Sequence, residues 1–198
     1  MAKRHKTKKT GSGRLRIVAG NWRSRRLDIA DAPGLRPTSE RIRETLFNWL
    51  EPRIHGARCL DLFAGTGALG LEALSRGAHS VVFVEKSPLV VSMLDANIKV
   101  LDAEAAVVHQ MEALNYLRGE RPGEFDLVFL DPPFAAELVE DVCRLLVERQ
   151  ALANDALIYI EQDRSQPEPA LPDGWQVLKS KTAGNVRYML VQEQAGQD

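Results

Sequence analysis

A chain of 198 residues can form one α/β domain with a substantial core and a small appendage. Its 44% hydrophobic and 27% charged residues are ordinary for a soluble globular protein, and its short apolar runs exclude a membrane-spanning class. The basic N-terminus lacks the apolar segment of a secretory signal. Cys59 and Cys143 have no disulfide or metal spacing, so they predict reduced, buried residues in a cytoplasmic protein.

The net charge of -1 hides an uneven distribution of charge. Residues 1–27 hold ten of the 26 Lys and Arg residues and no acid, which leaves 16 basic and 27 acidic residues, a net of -11, for the rest of the chain. A basic arm on an acidic body predicts a polyanionic partner, and we expect nucleic acid. The alternative is a solvated tail that only aids solubility.

The N-terminal quarter predicts three successive segments. Residues 1–13 are polar and basic, which is typical of a disordered tail. Residues 14–19 and 25–29 predict a hairpin around Gly20-Asn21-Trp22. A helix follows, capped by Thr38 or Ser39 and ending near Leu50. The change of pattern divides the chain into an N-terminal extension, residues 14–52, and a larger domain, residues 53–198.

From residue 53 onward, predicted strands and helices alternate. The strands are predicted at 58–63, 80–85, 106–109, 125–130 and 156–161. The helices are predicted at 67–76, from Pro88 onward, and at 135–149. Two final strands, at 175–181 and 186–192, predict a closing antiparallel pair. This order indicates an α/β fold with a doubly wound, mostly parallel seven-stranded sheet and an antiparallel C-terminal hairpin.

A glycine-rich turn follows the first strand of this domain. The segment Asp61-Leu62-Phe63-Ala64-Gly65-Thr66-Gly67-Ala68-Leu69-Gly70 contains the spacing GxGxxG, which dinucleotide enzymes share. Gly65 and Gly67 permit a tight turn that a ligand can approach closely. Glu85 ends the next strand, where its carboxylate can accept both hydroxyls of a ribose. At this point a nicotinamide dinucleotide and S-adenosylmethionine (SAM) are both possible cofactors.

Three features favour SAM. Asp61 precedes the turn and can face an ammonium group, which a dinucleotide lacks. Met111 and Glu112 follow the third strand, where an acid can accept from an adenine amine, although an acid at a helix N-terminus is the alternative. The third feature is the segment after the fourth strand, at the edge where such sheets bind ligands.

That segment is Asp131-Pro132-Pro133-Phe134. Its two prolines stiffen the backbone and remove two N–H donors. A carboxylate, free carbonyl oxygens and an aromatic face remain, which suits a flat molecule with an exocyclic amine. The sequence therefore predicts that Asp131, Pro132, Pro133 and Phe134 form a catalytic site, with a purely structural turn as the alternative.

These motifs resemble a known family, the RsmD-type bacterial methyltransferases of N2 of a guanine in 16S ribosomal RNA. The resemblance covers nearly the whole chain. It rests on Gly34-Leu35-Arg36-Pro37-Thr38 with the helix that follows, on residues 61–70 and on residues 131–134. The family usually has Asp or Asn where Glu112 stands.

The resemblance implies a SAM-dependent enzyme with a Rossmann-like fold, in which residues 14–52 form an RNA-contacting extension and residues 53–198 the methyltransferase domain. Gly65 and Gly67 would lie against the methionine part of SAM, Glu85 against the ribose, and Asp131 at the target amine. The full set predicted to bind the cofactor is Asp61, Phe63, Gly65, Thr66, Gly67, Glu85, Lys86, Met111 and Glu112. The set predicted to bind RNA is Arg14, Arg16, Arg23, Arg25, Arg26, Arg36, Thr38, Arg41 and Arg43.

The expected partner is 16S ribosomal RNA within a small-subunit assembly particle, bound by a monomer without a metal ion. One alternative is an N6-adenine methyltransferase of DNA or RNA, because the same tetrapeptide serves both amines. A second is an NAD(P)-dependent oxidoreductase that uses the glycine turn. A third is a non-catalytic RNA-binding module.

Overall fold

The computed structural model describes residues 13–33, 35, 37–119, 123–133 and 136–193. The predicted basic tail apart from Gly13 lies outside the described residues. So do Arg36 of the predicted RNA-binding set and Phe134 of the predicted catalytic set.

The N-terminal segment forms the predicted hairpin and helix. Strands β1 (Arg14–Arg16) and β2 (Arg26–Asp28) pair antiparallel, with Leu15 opposite Leu27. Helix α1 spans Glu40–Ile54, and the Ser39 side chain accepts a hydrogen bond from the Ile42 N–H at 3.3 Å, as expected of an N-cap. The predicted end near Leu50 is wrong. The helix continues through Pro52, because buried Ile54 holds the last turn against the core at the expense of one backbone hydrogen bond.

The predicted sheet is confirmed. Its seven strands are β3 (Arg58–Asp61), β4 (Ser80–Glu85), β5 (Ala106–Gln110), β6 (Phe125–Leu130), β7 (Leu152–Asp163), β8 (Trp175–Ala183) and β9 (Val186–Glu193). They lie in the order β5-β4-β3-β6-β7-β9-β8. The first five are parallel to one another, and β9 pairs antiparallel with both β7 and β8.

Four further helices connect these strands: α2 (Ala68–Ser75), α3 (Pro88–Leu101), α4 (Ala113–Arg118) and α5 (Ala136–Glu148). Helix α4 was predicted only as the alternative for Glu112, as an acid at a helix N-terminus, because six residues are too few to show a helical period. Strand β7 begins four residues earlier than predicted, and its register with β6 shifts between Phe125 and Leu127. Such an irregular start does not show the alternation that marks a strand.

Two apolar clusters cover the two faces of the sheet. One contains buried residues of the N-terminal hairpin and of α1, α2 and α3. The other contains buried residues of α4 and α5. The N-terminal segment therefore shares a core with the sheet, and its position relative to the sheet edge is fixed. Within the described ranges, no helix has the length and apolar character needed to cross a bilayer.

The fully buried carboxylate of Glu72 on α2 attaches the hairpin to the sheet. It accepts the backbone N–H groups of Val18 at 2.8 Å and Ala19 at 2.9 Å, and it pairs with Arg43 at 3.0 Å and Arg76 at 2.9 Å. Four donors satisfy both carboxylate oxygens, which a buried charge requires. Glu72 was not singled out from the sequence, where it looks like an ordinary helix residue.

Candidate active site

The site lies at the carboxyl edge of the parallel strands. The chain leaves β3 toward β4 and β5 and then returns to place β6 on the other side of β3. Asp61 ends β3, and Asp131 directly follows β6, so these two acids flank the point where the strand order reverses. Open α/β sheets bind ligands at this point.

The glycine turn is held by Glu85. The carboxylate of Glu85 accepts the Gly65 N–H at 3.0 Å and the Ser87 N–H at 2.8 Å, one on each oxygen. Gly65 and Gly67 both have positive φ angles, 49° and 75°, a conformation that side chains disfavour. Glu85 is thus oriented from the protein side, and each of its oxygens keeps a lone pair for a ligand.

The two glycines differ in what a side chain would meet. A Cβ on Gly67 would lie 2.5 Å from Leu94 Cδ1 and 3.2 Å from Leu71 Cδ1, inside the core, whereas a Cβ on Gly65 would meet Leu35 Cδ1 at 3.2 Å. On the sequence alone, the glycine at position 67 is explained by the close approach of a ligand. The structure gives a further reason, because a Cβ at this position would point into the core. The positive φ of Gly67 and the packing of Leu94 and Leu71 both favour glycine there. A contact between the Gly67 backbone and the cofactor stays a prediction.

Asp61 is 3% exposed. It accepts the Gly70 N–H at 3.0 Å from the first turns of α2. Burial raises the pKa of Asp61 to about 7, the Gly70 hydrogen bond opposes that rise, and the negative charges of Asp131 and Glu85 add to it. A cation bound beside Asp61 would stabilise its charged form and so offset the effects of burial and of the neighbouring negative charges on its pKa.

The remaining residues predicted to bind cofactor lie around the same edge. The Met111 N–H donates to the backbone oxygen of Glu85, which ties the end of β5 to β4. Glu112 is the N-cap residue of α4, and its carboxylate lies 3.4 Å from the exposed ammonium of Lys86. Phe63 is half-buried and Thr66 is buried within the glycine turn.

Asp131 is contacted from the N-terminal segment. The Thr38 hydroxyl donates to Asp131 Oδ2 across 3.5 Å, a long hydrogen bond from the residue just before α1. Burial raises the pKa of Asp131 to about 6, and the Thr38 hydrogen bond opposes that rise. Pro132 and Pro133 follow Asp131 directly, as the sequence requires, and supply no N–H donor.

The sequence interpretation missed Glu161 as a residue of the site. Leu130 pairs with Ile160 in the parallel β6–β7 ladder, so the next residues, Asp131 and Glu161, are neighbours at the edge. Glu161 is 8% exposed and accepts the Tyr159 hydroxyl at 2.8 Å. Burial first, and then the charge of Asp131, raise the pKa of Glu161 to about 8. The signal in the sequence that points to Glu161 is an acid at the end of a buried apolar strand.

Four carboxyl groups thus converge on one edge of the sheet: Asp61, Glu85, Asp131 and Glu161. Within the part of the chain that the structure describes, none of the four pairs with a basic side chain, and no cluster of potential metal ligands is found. An acidic edge of this kind attracts a positively charged ligand and repels the phosphates of a dinucleotide.

The side chains predicted to bind RNA differ in their surroundings. Arg14 and Arg16 pair with Asp28 and Glu40, and Arg25 donates to the Val100 carbonyl at 2.9 Å. A second group is exposed: Arg23, Arg26 and Arg41. Thr38 is buried against Asp131.

Arg43, the last of that set, is 1% exposed. Its guanidinium donates to Glu72 at 3.0 Å, to the Thr38 carbonyl at 3.2 Å and to the Arg16 carbonyl at 2.8 Å. The prediction that Arg43 contacts RNA is wrong, because its donors are used inside the protein. Because Arg43 donates to the Thr38 carbonyl, it holds in place the residue whose hydroxyl contacts Asp131.

Comparisons with known proteins agree with this geometry. A family model described as Conserved hypothetical protein 95 matches residues 15–192. The ribosomal RNA small subunit methyltransferase D of Escherichia coli K12 is 45% identical over 186 residues, which cover 94% of this chain and 93% of the relative. The protein of that name from Haemophilus influenzae Rd is 46% identical over 183 residues, with coverage of 91% and 94%.

Solved structures give the same result. The structure of yhhF from Escherichia coli aligns with a TM-score of 0.86 at 43% identity and covers 93% of this chain and 100% of that one. SMU.776, solved in complex with SAH, is 16% identical and aligns with a TM-score of 0.65 over 77% of this chain and 48% of that one. This more distant likeness concerns the fold alone.

Proposed function

The chain belongs to the family of ribosomal RNA small subunit methyltransferase D, and we propose that it transfers a methyl group from SAM to the exocyclic N2 of a guanine in small-subunit ribosomal RNA. The observation that carries the proposal is the position of Asp131, a buried carboxylate followed by two prolines, next to the point of strand reversal.

The residues on the cofactor side fit SAM. SAM carries a positive sulfonium and an ammonium group, and the acidic edge offers Asp61 and Glu85 without a basic partner among the described residues. Asp61 would hold the ammonium group, and the outward lone pairs of Glu85 would accept the ribose hydroxyls. Met111 and Glu112, at the end of β5, would border the adenine.

The residues on the substrate side suit an amine that is a weak nucleophile. The N2 lone pair of guanine is delocalised into the ring, so the amine needs to be oriented before it reacts. The charged Asp131 carboxylate would accept one N2 hydrogen, and the Pro132 carbonyl would accept the other. Phe134, outside the described residues, is proposed to stack on a base flipped out of its helix.

SAM, when bound, would supply an electrophilic methyl group; N2 would form the new bond to that carbon, and the sulfur would keep the electron pair of the bond that breaks. The amine then loses one proton to Asp131 or to water. Thr38 would orient Asp131 through its hydroxyl, and burial beside Asp131 raises the pKa of Glu161, which disfavours a second negative charge next to the amine. Catalysis is then mainly positioning.

The acidic edge also argues against the oxidoreductase alternative, because a dinucleotide would bring two phosphates beside acidic side chains that have no basic partner among the described residues. Calorimetry with SAM and with NADH separates the two, and we expect heat of binding only with SAM. The adenine alternative shares the tetrapeptide and needs a separate test.

The test of the target atom is a product analysis. The protein and labelled SAM are incubated with small-subunit RNA, and separately with partly assembled small-subunit particles, from a strain lacking the enzyme. Digestion to nucleosides should then yield labelled N2-methylguanosine, and we propose the assembly particle as the better substrate. Labelled N6-methyladenosine, or no labelled base in either substrate, would refute the proposed reaction.

A further inference from the structure

The outer edge of the sheet carries two lysines and a tryptophan that the predicted RNA-binding set does not include. Lys179 and Lys181 are two residues apart on β8, the edge strand, and so lie on the same face of it. Both ammonium groups lie 5.9 Å from the ring centre of Trp49 on α1. Neither ammonium pairs with a carboxylate among the described residues. We call Lys179, Lys181 and Trp49 the edge cluster.

Strand register connects the edge cluster to the catalytic edge. Tyr188 of β9 pairs with Glu161 of β7 on one side and with Lys181 of β8 on the other. Glu161 in turn lies next to Asp131, so Asp131, Glu161, Tyr188 and Lys181 form one row across four strands. Strands are about 4.8 Å apart, which puts the Lys181 backbone about 14 Å from that of Asp131.

The aromatic side chains show that this row faces α1. The Trp49 ring stacks on that of Tyr188 with centroids 5.4 Å apart and an interplanar angle of 27°. Tyr188 is buried beneath it, and Tyr188 also contacts Tyr159, whose hydroxyl donates to Glu161. The lysines and Asp131 therefore lie on the same side of the sheet, and the cation–π contacts hold both ammonium groups there.

The ligand that fits is a phosphodiester chain. Two unpaired ammonium groups on a largely acidic protein attract an anion, and Lys binds phosphate as a point charge. A stacked strand rises about 3.4 Å along its axis per nucleotide, so about 14 Å of axis spans roughly four nucleotides. The strand that places a nucleotide at Asp131 thus passes the edge cluster.

We propose that Lys179 and Lys181 bind the phosphates of the substrate RNA strand within a few nucleotides of the base held at Asp131. The inference rests on the proposed function for the identity of the strand. It assigns RNA contact to the C-terminal edge of the sheet in addition to the N-terminal arginines, of which Arg14 and Arg16 are paired with acids and Arg43 is buried.

The test compares two double variants of the full chain. Lys179→Ala/Lys181→Ala removes two charges from the edge cluster, and the control Arg118→Ala/Arg144→Ala removes two from α4 and α5 on the opposite face. Binding to deproteinised 16S RNA is measured between 50 and 200 mM salt, with SAM affinity as a check on folding.

Loss of two phosphate contacts should make the salt slope less steep by roughly 1.4 and lower affinity about tenfold or more at 0.1 M salt, because each contact contributes roughly 0.7 on a single strand. Lys179→Arg/Lys181→Arg should restore the slope. The control should stay within about twofold of wild type. An unchanged slope in the lysine variant, or an equal loss in the control, would overturn the inference. Neither result depends on which base is methylated, so failure of the proposed function would show separately in the product analysis.

Discussion

At the scale of single residues, burial raises the pKa values of the neighbouring carboxyl groups at the site. Burial raises the pKa of Asp131 to about 6, and burial together with the charge of Asp131 raises the pKa of Glu161 to about 8. Two adjacent carboxyls in a low-dielectric site do not both ionise readily. One ionised carboxylate is enough to accept a hydrogen of the amine, and Glu161 also accepts the Tyr159 hydroxyl.

Asp61 should make SAM binding depend on pH. Its pKa of about 7 in the empty site means that it is mostly protonated at pH 6 and mostly charged at pH 7.5. Since the charged form binds the ammonium group, the apparent dissociation constant should fall roughly eightfold over that interval. Calorimetry measures it. Asp61→Asn should bind more weakly and with little dependence on pH; an equally steep dependence in that variant would assign the titration to another group.

Glu161 should make folding stability depend on pH. Its pKa is raised from 4.5 to about 8 in the folded state. A raised acid pKa means that stability is fully present below about pH 4.5 and is lost as the pH rises through about 8. Glu161→Gln removes that loss, so its free energy of unfolding should fall less between pH 5 and pH 8.5 than that of wild type. Urea titrations at the two pH values test this, and parallel losses in both proteins would contradict the assignment.

At the scale of elements, the glycine turn shows how packing and binding share one segment. The turn is fixed from one side by Glu85 and from the other by the contact of Gly67 with Leu94 and Leu71. Helix α2 carries Glu72, which fixes the hairpin and Arg43. Arg43 then holds the Thr38 carbonyl, and the Thr38 hydroxyl contacts Asp131. The cofactor side and the substrate side are thus connected through α2.

Gly67→Ala should destabilise the fold more than a matched glycine elsewhere. Gly56 has a φ of 76°, close to the 75° of Gly67, but a Cβ there would meet nothing within 4 Å. Both substitutions incur about 1–2 kcal/mol for a side chain in the left-handed region. Only Gly67→Ala also overpacks the core, which adds about 1–3 kcal/mol. Equal losses in the free energy of unfolding of the two variants would show that the turn, and not Leu94, requires the glycine.

At the scale of the whole molecule, the sequence predicted the sheet, which the structure confirms, and placed the candidate site at the carboxyl ends of its strands. Alternating apolar strands and helices determine the parallel order, and the motifs at 61–70 and 131–134 follow strands whose ends meet at one edge. Long-range contacts were not predictable in this way. Arg43 reads as a surface cation because its partner Glu72 is 29 residues away, and Glu161 joins the site only through the β6–β7 register. The edge cluster likewise combines α1 with β8.

The molecule thus has an acidic edge that suits a cationic cofactor, and it has basic side chains on the hairpin and on β8 that we propose for contact with RNA. These two surfaces meet at Asp131, which lies between β3 and β7 and beneath Thr38. Opposite charge requirements on the two sides explain why a net charge near zero, -1 overall, coexists with strong local asymmetry.

The rate of methyl transfer by Asp131 variants tests the central claim most directly. Single-turnover transfer at saturating SAM and small-subunit RNA isolates the chemical step from binding. Asp131→Asn keeps an acceptor oxygen and should retain partial activity. Asp131→Ala loses the acceptor and should be slower by about 10²-fold or more, with SAM affinity preserved. A rate near that of wild type for Asp131→Ala under these conditions would contradict the assignment of this carboxylate to the reacting amine.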